Sequence, residues 1–246
     1  MPNIIEVECL AKQFGTCRAV DGISFAVKEG EVFALLGPNG TGKSTTIKML
    51  TTQTKPTKGR MRVNGADPVE QPDAVRRSFG IVFQGSSLDE ELTAQENLDF
   101  HGALYSVPKK SRSSRIDALL TLVGLLDRRN SIVREFSGGM KRRLEIARGL
   151  LHRPKILFLD EPTLGLDPQT RHHIWRYMLD LNKTERTTIF FTTHNMEEAE
   201  RVAQSTAIID HGTIVALGSV AELKSATRTD CLEAAYLKFT GSAIRP

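Results

Sequence analysis

Sulfur is sparse in this chain, and no apolar stretch is long. The three cysteines, Cys9, Cys17 and Cys231, stand among 246 residues. They form no CxxC pair and no ligand-spaced cluster, which excludes the usual zinc signatures and fits reduced thiols in a cytosolic protein. The longest apolar runs, such as Val32-Phe33-Ala34-Leu35-Leu36, fall far short of the roughly 20 residues that cross a bilayer. Any membrane role is therefore expected to come through a partner. Met1 to Cys9 include Glu6 and Glu8 and lack a basic region followed by an apolar one, so no signal peptide is expected. An excess of charge is also missing: 33 basic against 29 acidic residues leave a net charge of +4, too mild to argue for nucleic acid. Internal repeats and low-complexity segments are absent.

What the chain does have is a change of texture along its length. Ile4 to Leu10, Ala19 to Val27 and Val32 to Leu36 read as strands, with Asp21-Gly22 and Glu29-Gly30 as punctuation. Val32 to Leu36 is apolar on both faces, as suits a strand buried in a parallel sheet. It runs through a glycine loop into a helix expected from Lys43 to Leu50, and Arg60 to Val63 reads as a strand ending in the tight turn Asn64-Gly65. From about Gly85 to Leu150 the pattern is helical. Thr93-Ala94-Gln95-Glu96 is a capping box, and Ile116, Leu119, Leu120 and Val123 form a stripe of helical period. Between them, Lys109-Lys110-Ser111-Arg112 reads as a solvated loop rather than a nucleic-acid site. After Pro154 strands return at Ile156 to Leu159, Thr187 to Thr192 and Ala207 to Ile209, and Asp167-Pro168 opens a helix. Two short helical patterns follow Val220. The whole reads as an α/β nucleotide-binding core interrupted by a helical insertion.

Chemistry concentrates in three places. Gly37-Pro38-Asn39-Gly40-Thr41-Gly42-Lys43-Ser44 has the spacing of a P-loop: glycines let backbone N–H groups close on phosphate oxygens, Lys43 offers a mobile charge, and the Ser44 hydroxyl can ligate Mg²⁺. The helix that follows points its positive end at the anion. Second, the Ile156 to Leu159 strand ends in Asp160-Glu161; Asp160 can hold Mg²⁺, and Glu161, pointing elsewhere, can act on a water as general base. Third, Phe136-Ser137-Gly138-Gly139-Met140 opens a helix bearing Leu144, Ala147 and Leu151. A capping serine explains part of this. A serine hydroxyl, exposed N–H groups and a helix N-terminus also make a second phosphate cradle. Two cradles in one chain suggest that two copies share each nucleotide.

Taken together, these motifs resemble the ATP-binding-cassette (ABC) ATPases over nearly the whole chain. Gly37 to Ser44 corresponds to Walker A, with Thr45 beside it, Ile156 to Asp160 to Walker B, and Phe136 to Met140 to the signature motif. Gln84 falls at the Q-loop, Gly165-Leu166-Asp167 at the D-loop, His194 at the switch histidine, and Phe14 where an aromatic ring stacks on adenine. The resemblance implies an α/β P-loop NTPase fold: a mixed-sheet RecA-like core from residues 1–84 and 151–246, an antiparallel β subdomain and an inserted α-helical subdomain over 85–150. It implies ATP and Mg²⁺ as cofactors, with Ser44, Gln84 and Asp160 near the metal and Glu161, His194 and Gln84 at the reaction. It also implies a head-to-tail dimer in which Ser137, Gly138 and Gly139 face the partner's ATP, and a separate membrane permease on the helical insertion. Such a subunit sits in the cytoplasm at the inner face of the membrane, and no direct nucleic-acid partner is expected.

Departures from the common pattern are Phe14 for Tyr, Phe136 for Leu and Met140 for Gln, expected to tune affinity rather than abolish activity. Ser137-Gly138-Gly139-Met140-Lys141-Arg142-Arg143, the stretch Leu88 to Leu98 and the ending Leu237 to Gly241 are similar to the ABC-2 branch of drug-resistance and nodulation-factor exporters. An importer ATPase stays open on the core motifs alone, whereas an ABC protein acting on ribosomes or DNA is disfavoured, since the chain has one cassette and an insertion too short for a coiled-coil arm.

Overall fold

The computed structural model describes residues 2–241. In chain order its strands are β1 (Asn3–Phe14), β2 (Cys17–Lys28), β3 (Val32–Leu36), β4 (Lys58–Val63), β5 (Phe79–Val82), β6 (Ile156–Asp160), β7 (Thr188–Thr193), β8 (Ser205–Asp210) and β9 (Thr213–Gly218). Its helices are α1 (Lys43–Leu50), α2 (Pro72–Ser78), α3 (Ala94–Leu104), α4 (Lys109–Leu122), α5 (Gly138–Leu150), α6 (Pro168–Glu185), α7 (Met196–Val202), α8 (Val220–Thr227) and α9 (Leu232–Thr240).

Two sheets result. One is antiparallel in the order β2-β1-β4; the other runs β5-β6-β7-β3-β8-β9, parallel except for β9. The central strands are apolar throughout because both of their faces are covered. Val32, Ala34 and Leu36 of β3, with Leu157, Leu159, Ile189 and Phe191, face the cluster built by α3 to α9. Phe33 and Leu35, with Ile156, Phe158 and Phe190, face α1 and the antiparallel sheet. On that second side Phe33 stacks on Phe190 at 5.3 Å and on Phe25 at 5.4 Å. Truncating one such buried ring to alanine costs about 3–5 kcal/mol, so this seam between the sheets is a main source of rigidity beneath the loops that follow β3 and β6.

The capping box forms as expected: Thr93 accepts from the Glu96 N–H, and Glu96 accepts from the Thr93 N–H at 2.8 Å. Two expectations fail. Lys109-Lys110-Ser111-Arg112 is not a loop but the first turn of α4. Cations at a helix start oppose its dipole, and the apolar stripe begins only at Ile116; Pro108 nevertheless starts the helix, and Arg112 anchors the turn by donating to the Val107 carbonyl at 2.7 Å. Asp21-Gly22 is not a turn between elements either. It lies inside β2, opposite a stretch where the β1–β2 register shifts repeatedly, and the left-handed φ of +67° at Gly22 accommodates the irregularity. Both strands are consequently longer than their sequence patterns suggest.

Candidate nucleotide site

Strand order brings the chemistry together. β6, β7 and β3 are neighbours, with Asp160 paired to Thr192 and Leu36 to Thr193, so the loops leaving all three C-terminal ends converge on one crevice. The Gly37 N–H donates to the Thr193 carbonyl at 3.2 Å, which fixes where the glycine loop departs. Gly42 ends that loop with φ +103°, and a Cβ there would lie 2.4 Å from the Ala19 carbonyl. Any other residue would be strained and would clash. Thr41 holds the turn by donating to the Pro38 carbonyl at 2.9 Å.

The first turn of α1 has neither a side-chain cap nor an acidic residue. Its N–H groups and dipole thus face the crevice without a carboxylate competing for them, the arrangement that accepts phosphate. A cleft of about 290 Å³ lies there, lined by Ala19, Asn39, Gly40, Gly42, Lys43, Ser44, Thr45, Gln84 and Glu161.

Lys43 is buried in the floor. Its ammonium donates to the Gly37 carbonyl at 2.6 Å and the Pro38 carbonyl at 2.9 Å, and stands 3.3 Å from Glu161 Oε1. Burial pulls its pKa below the usual lysine range, against the opposing pull of Glu161 and Asp160. Asp160 Oδ1 accepts from Ser44 Oγ at 3.1 Å and from Thr192 Oγ1 at 2.6 Å. A hydroxyl and a carboxylate oxygen this close are hard donors of the kind Mg²⁺ takes together with phosphate oxygens, so the donor set fits that ion. Among the described residues no group of three His, Cys, Asp or Glu side chains could hold a metal by itself.

Glu161 is held in an unusual conformation. Its φ is +50°, left-handed for a residue with a side chain, at a cost of about 1–3 kcal/mol. Its N–H is taken by Thr192, through the carbonyl at 3.2 Å and the hydroxyl at 3.1 Å. On the carboxylate, Oε2 lies 2.9 Å from His194 Nδ1, while Oε1 is buried with Lys43 as its partner and no well-directed hydrogen bond. The twist turns Glu161 away from Asp160, so consecutive carboxylates serve different neighbours.

Other expected site residues lie apart. Phe14 is exposed at the end of β1, with Lys12 Nζ 4.8 Å from its ring centroid. Ser137 caps α5 by accepting from the Met140 N–H at 3.2 Å; Ser137 and Gly138 are exposed, and neither they nor Gly139 line the cleft of their own chain. Asp167 caps α6 by accepting from the Thr170 N–H at 2.9 Å, and hydrogen bonds from Thr170 draw its pKa down. Two residues escaped the sequence reading. Thr192 is one of three threonines in β7, and only its register opposite Asp160 marks it. Arg142 sits between Lys141 and Arg143 and looks solvated, yet it is buried against the Asp160-Glu161 turn.

A family model described as ABC transporter matches residues 20–164, more than half the chain. The chain belongs to the ABC transporter family. It is an ATP-binding ABC ATPase. The daunorubicin/doxorubicin resistance ATP-binding protein DrrA of Streptomyces peucetius is 42% identical over 231 residues, covering 93% of this chain and 69% of that protein. The Nod factor export ATP-binding protein I of Ralstonia nicotianae is 42% identical over 220 residues, covering 89% and 68%. These relatives form the exporter branch that Ser137 to Arg143 resembles. Among solved structures, the ATP-binding subunit of an ABC transporter superposes with a TM-score of 0.87 at 31% identity, covering 96% of this chain and 99% of that one. A dimeric cassette in a post-hydrolysis state with ADP and Pi bound superposes with a TM-score of 0.79 at 26% identity, covering 87% and 98%. The ABC-ATPase fold is thus shared along nearly the full length. Among the described residues no helix is long and apolar enough to cross a membrane.

Proposed function

We propose that this ABC ATPase powers an exporter of the ABC-2 kind, binding ATP with Mg²⁺ between two copies of the chain at the cytoplasmic face of a membrane permease. Residues 85–150 act as the helical subdomain that meets the permease, and residues 1–84 with 151–246 act as the nucleotide-binding core. The observation that carries the reading is Glu161: a buried carboxylate at the mouth of a phosphate loop, with Lys43 at 3.3 Å on one oxygen and His194 at 2.9 Å on the other.

The roles follow from position. Phe14 stacks on the adenine, and Gly37, Pro38, Asn39, Gly40, Thr41, Gly42 and Thr45 shape the phosphate cradle. Lys43 neutralises the β and γ phosphates. Ser44, Asp160 and Gln84 would hold the Mg²⁺, which would supply positive charge to offset that of the phosphates. Glu161 accepts a proton from water as its oxygen bonds to the γ-phosphorus and the bond to the ADP oxygen breaks, giving ADP and phosphate. His194 keeps the Glu161 carboxylate turned toward that water. Ser137, Gly138, Gly139 and Asp167 of one copy complete the site of the other across a two-fold axis. Export rather than import is supported by the drug-resistance and Nod factor export relatives.

Steady-state ATP turnover with and without Glu161→Gln tests the chemistry. The substitution is expected to leave ATP binding intact and to lower kcat by about 10² to 10⁴-fold; turnover close to wild type removes Glu161 from the role of base. Affinity purification of the tagged full chain from membranes tests the transport reading. A multi-spanning permease lacking its own ATPase is the expected companion, and recovery with ribosomes instead overturns it.

A further inference from the structure

Arg142 lies on the turn of α5 that follows Ser137 to Gly139, and its guanidinium is buried. All its donors are taken up within the same chain. Nε donates to the Pro162 carbonyl at 2.8 Å, and Nη2 to the Glu161 carbonyl at 2.8 Å and the Asp160 carbonyl at 3.3 Å. Nη1 donates to the carbonyl of Phe83, the residue before Gln84, and to Glu145 Oε2 at 3.1 Å. Glu145, also on α5 and buried, accepts the Ser87 N–H on its other oxygen at 2.9 Å. Arg142 therefore grips the peptide units on both sides of the left-handed Glu161, while Glu145 ties the same helix to the segment after Gln84. A helix bound to both loops moves them when it moves.

We propose that Arg142 is a positioning residue that joins the N-terminus of α5 to Glu161 of its own chain, so that the partner's ATP seated on Ser137 to Gly139 accelerates hydrolysis at that chain's Glu161. The inference rests on the shared-site dimer proposed above. The planar fork is essential to it. A lysine offers one point charge and cannot hold carbonyls on three sides at once. Glu145 is the second part of the link because each of its two oxygens serves a different loop. A glutamine there keeps the shape but turns one acceptor into a donor, so either Arg142 or Ser87 loses its bond.

The test measures ATP hydrolysis against ATP concentration for the full-length wild type, Arg142→Lys and Glu145→Gln, with a fluorescent ATP analogue to report binding. Wild type is expected to be cooperative, with a Hill coefficient clearly above 1. In Arg142→Lys analogue affinity stays within about threefold, while kcat falls by on the order of 10²-fold, as small misplacements of a catalytic group do, and the Hill coefficient drops to 1. Glu145→Gln loses cooperativity in the same way and carries the test should Arg142→Lys fail to fold. A purely structural role would lower thermal stability and leave the Hill coefficient unchanged. A Hill coefficient of 1 in wild type, or wild-type cooperativity in Glu145→Gln, overturns the proposal. Sedimentation of Glu161→Gln with ATP separates the two levels: no dimer removes the shared site itself, whereas a dimer with undiminished cooperativity in the variants removes only the Arg142 link.

Discussion

At the scale of single residues, two adjacent carboxylates meet different neighbours because one φ angle separates them. Asp160 ends β6 in ordinary strand geometry and meets Ser44 and Thr192; Glu161, at φ +50°, meets Lys43 and His194. Asp160→Asn removes the carboxylate that accepts from the Ser44 hydroxyl while preserving shape. It is expected to raise the Mg²⁺ concentration for half-maximal ATPase activity at least tenfold, with nucleotide binding in the absence of Mg²⁺ little changed; a Mg²⁺ titration of turnover checks this, and an unshifted midpoint rules Asp160 out as a ligand. The motif residues were legible because phosphate binding leaves few ways to arrange glycine, lysine and serine. Thr192 and Arg142 were not. Their roles depend on which strand lies beside β6 and on which side of α5 faces the core, and neither is written in local spacing.

At the scale of elements, the ends of α3 and α5 meet in an aromatic stack. Tyr105 lies 4.7 Å from His101 and 4.0 Å from His152, and His152 Nε2 bonds to the Phe79 carbonyl at 2.9 Å. Burial, reinforced by the charges of Arg148 and His152, pushes the His101 pKa down to about 4, and burial lowers that of His152 as well. Between about pH 4 and 6.5 the unfolded chain therefore binds more protons than the folded one. Stability is complete above the unfolded value and falls as pH drops through this window, by at most roughly 3 kcal/mol for His101. Thermal unfolding midpoints should decline from pH 7 to pH 4.5, and His101→Phe should flatten the decline; an unchanged slope in the variant rules out His101 as a source. Element boundaries were readable where caps or buried runs marked them, as at Thr93, Asp167 and Val32. The basic start of α4 was not, since Arg112 is held there by the Val107 carbonyl and by Asp99 of α3 rather than by a favourable charge pattern.

At the scale of the whole molecule, the signature serine and the phosphate loop belong to one chain but not to one cleft. On the proposed shared site, Ser137→Arg is expected to abolish ATP-induced dimerisation, because a long side chain would fill the space proposed for the partner's phosphates, while each monomer still binds nucleotide. Light scattering with ATP distinguishes the outcomes, and a variant that dimerises normally contradicts the shared site. The proposed second copy is suggested by the sequence because two phosphate-cradle patterns are more than one nucleotide needs within a single chain.

The position of β3 bears on how the chain acquires its activity. Its hydrogen-bonding neighbours are β7 and β8, both from the far end of the sequence. During synthesis the phosphate loop thus emerges early on a strand with two bare edges, and no later strand can flank it until residues 188–210 have been made. Such long-range pairing closes slowly. Nucleotide binding should therefore appear late and abruptly, so that a chain released after α5 carries every glycine of the loop and still has no grip on ATP.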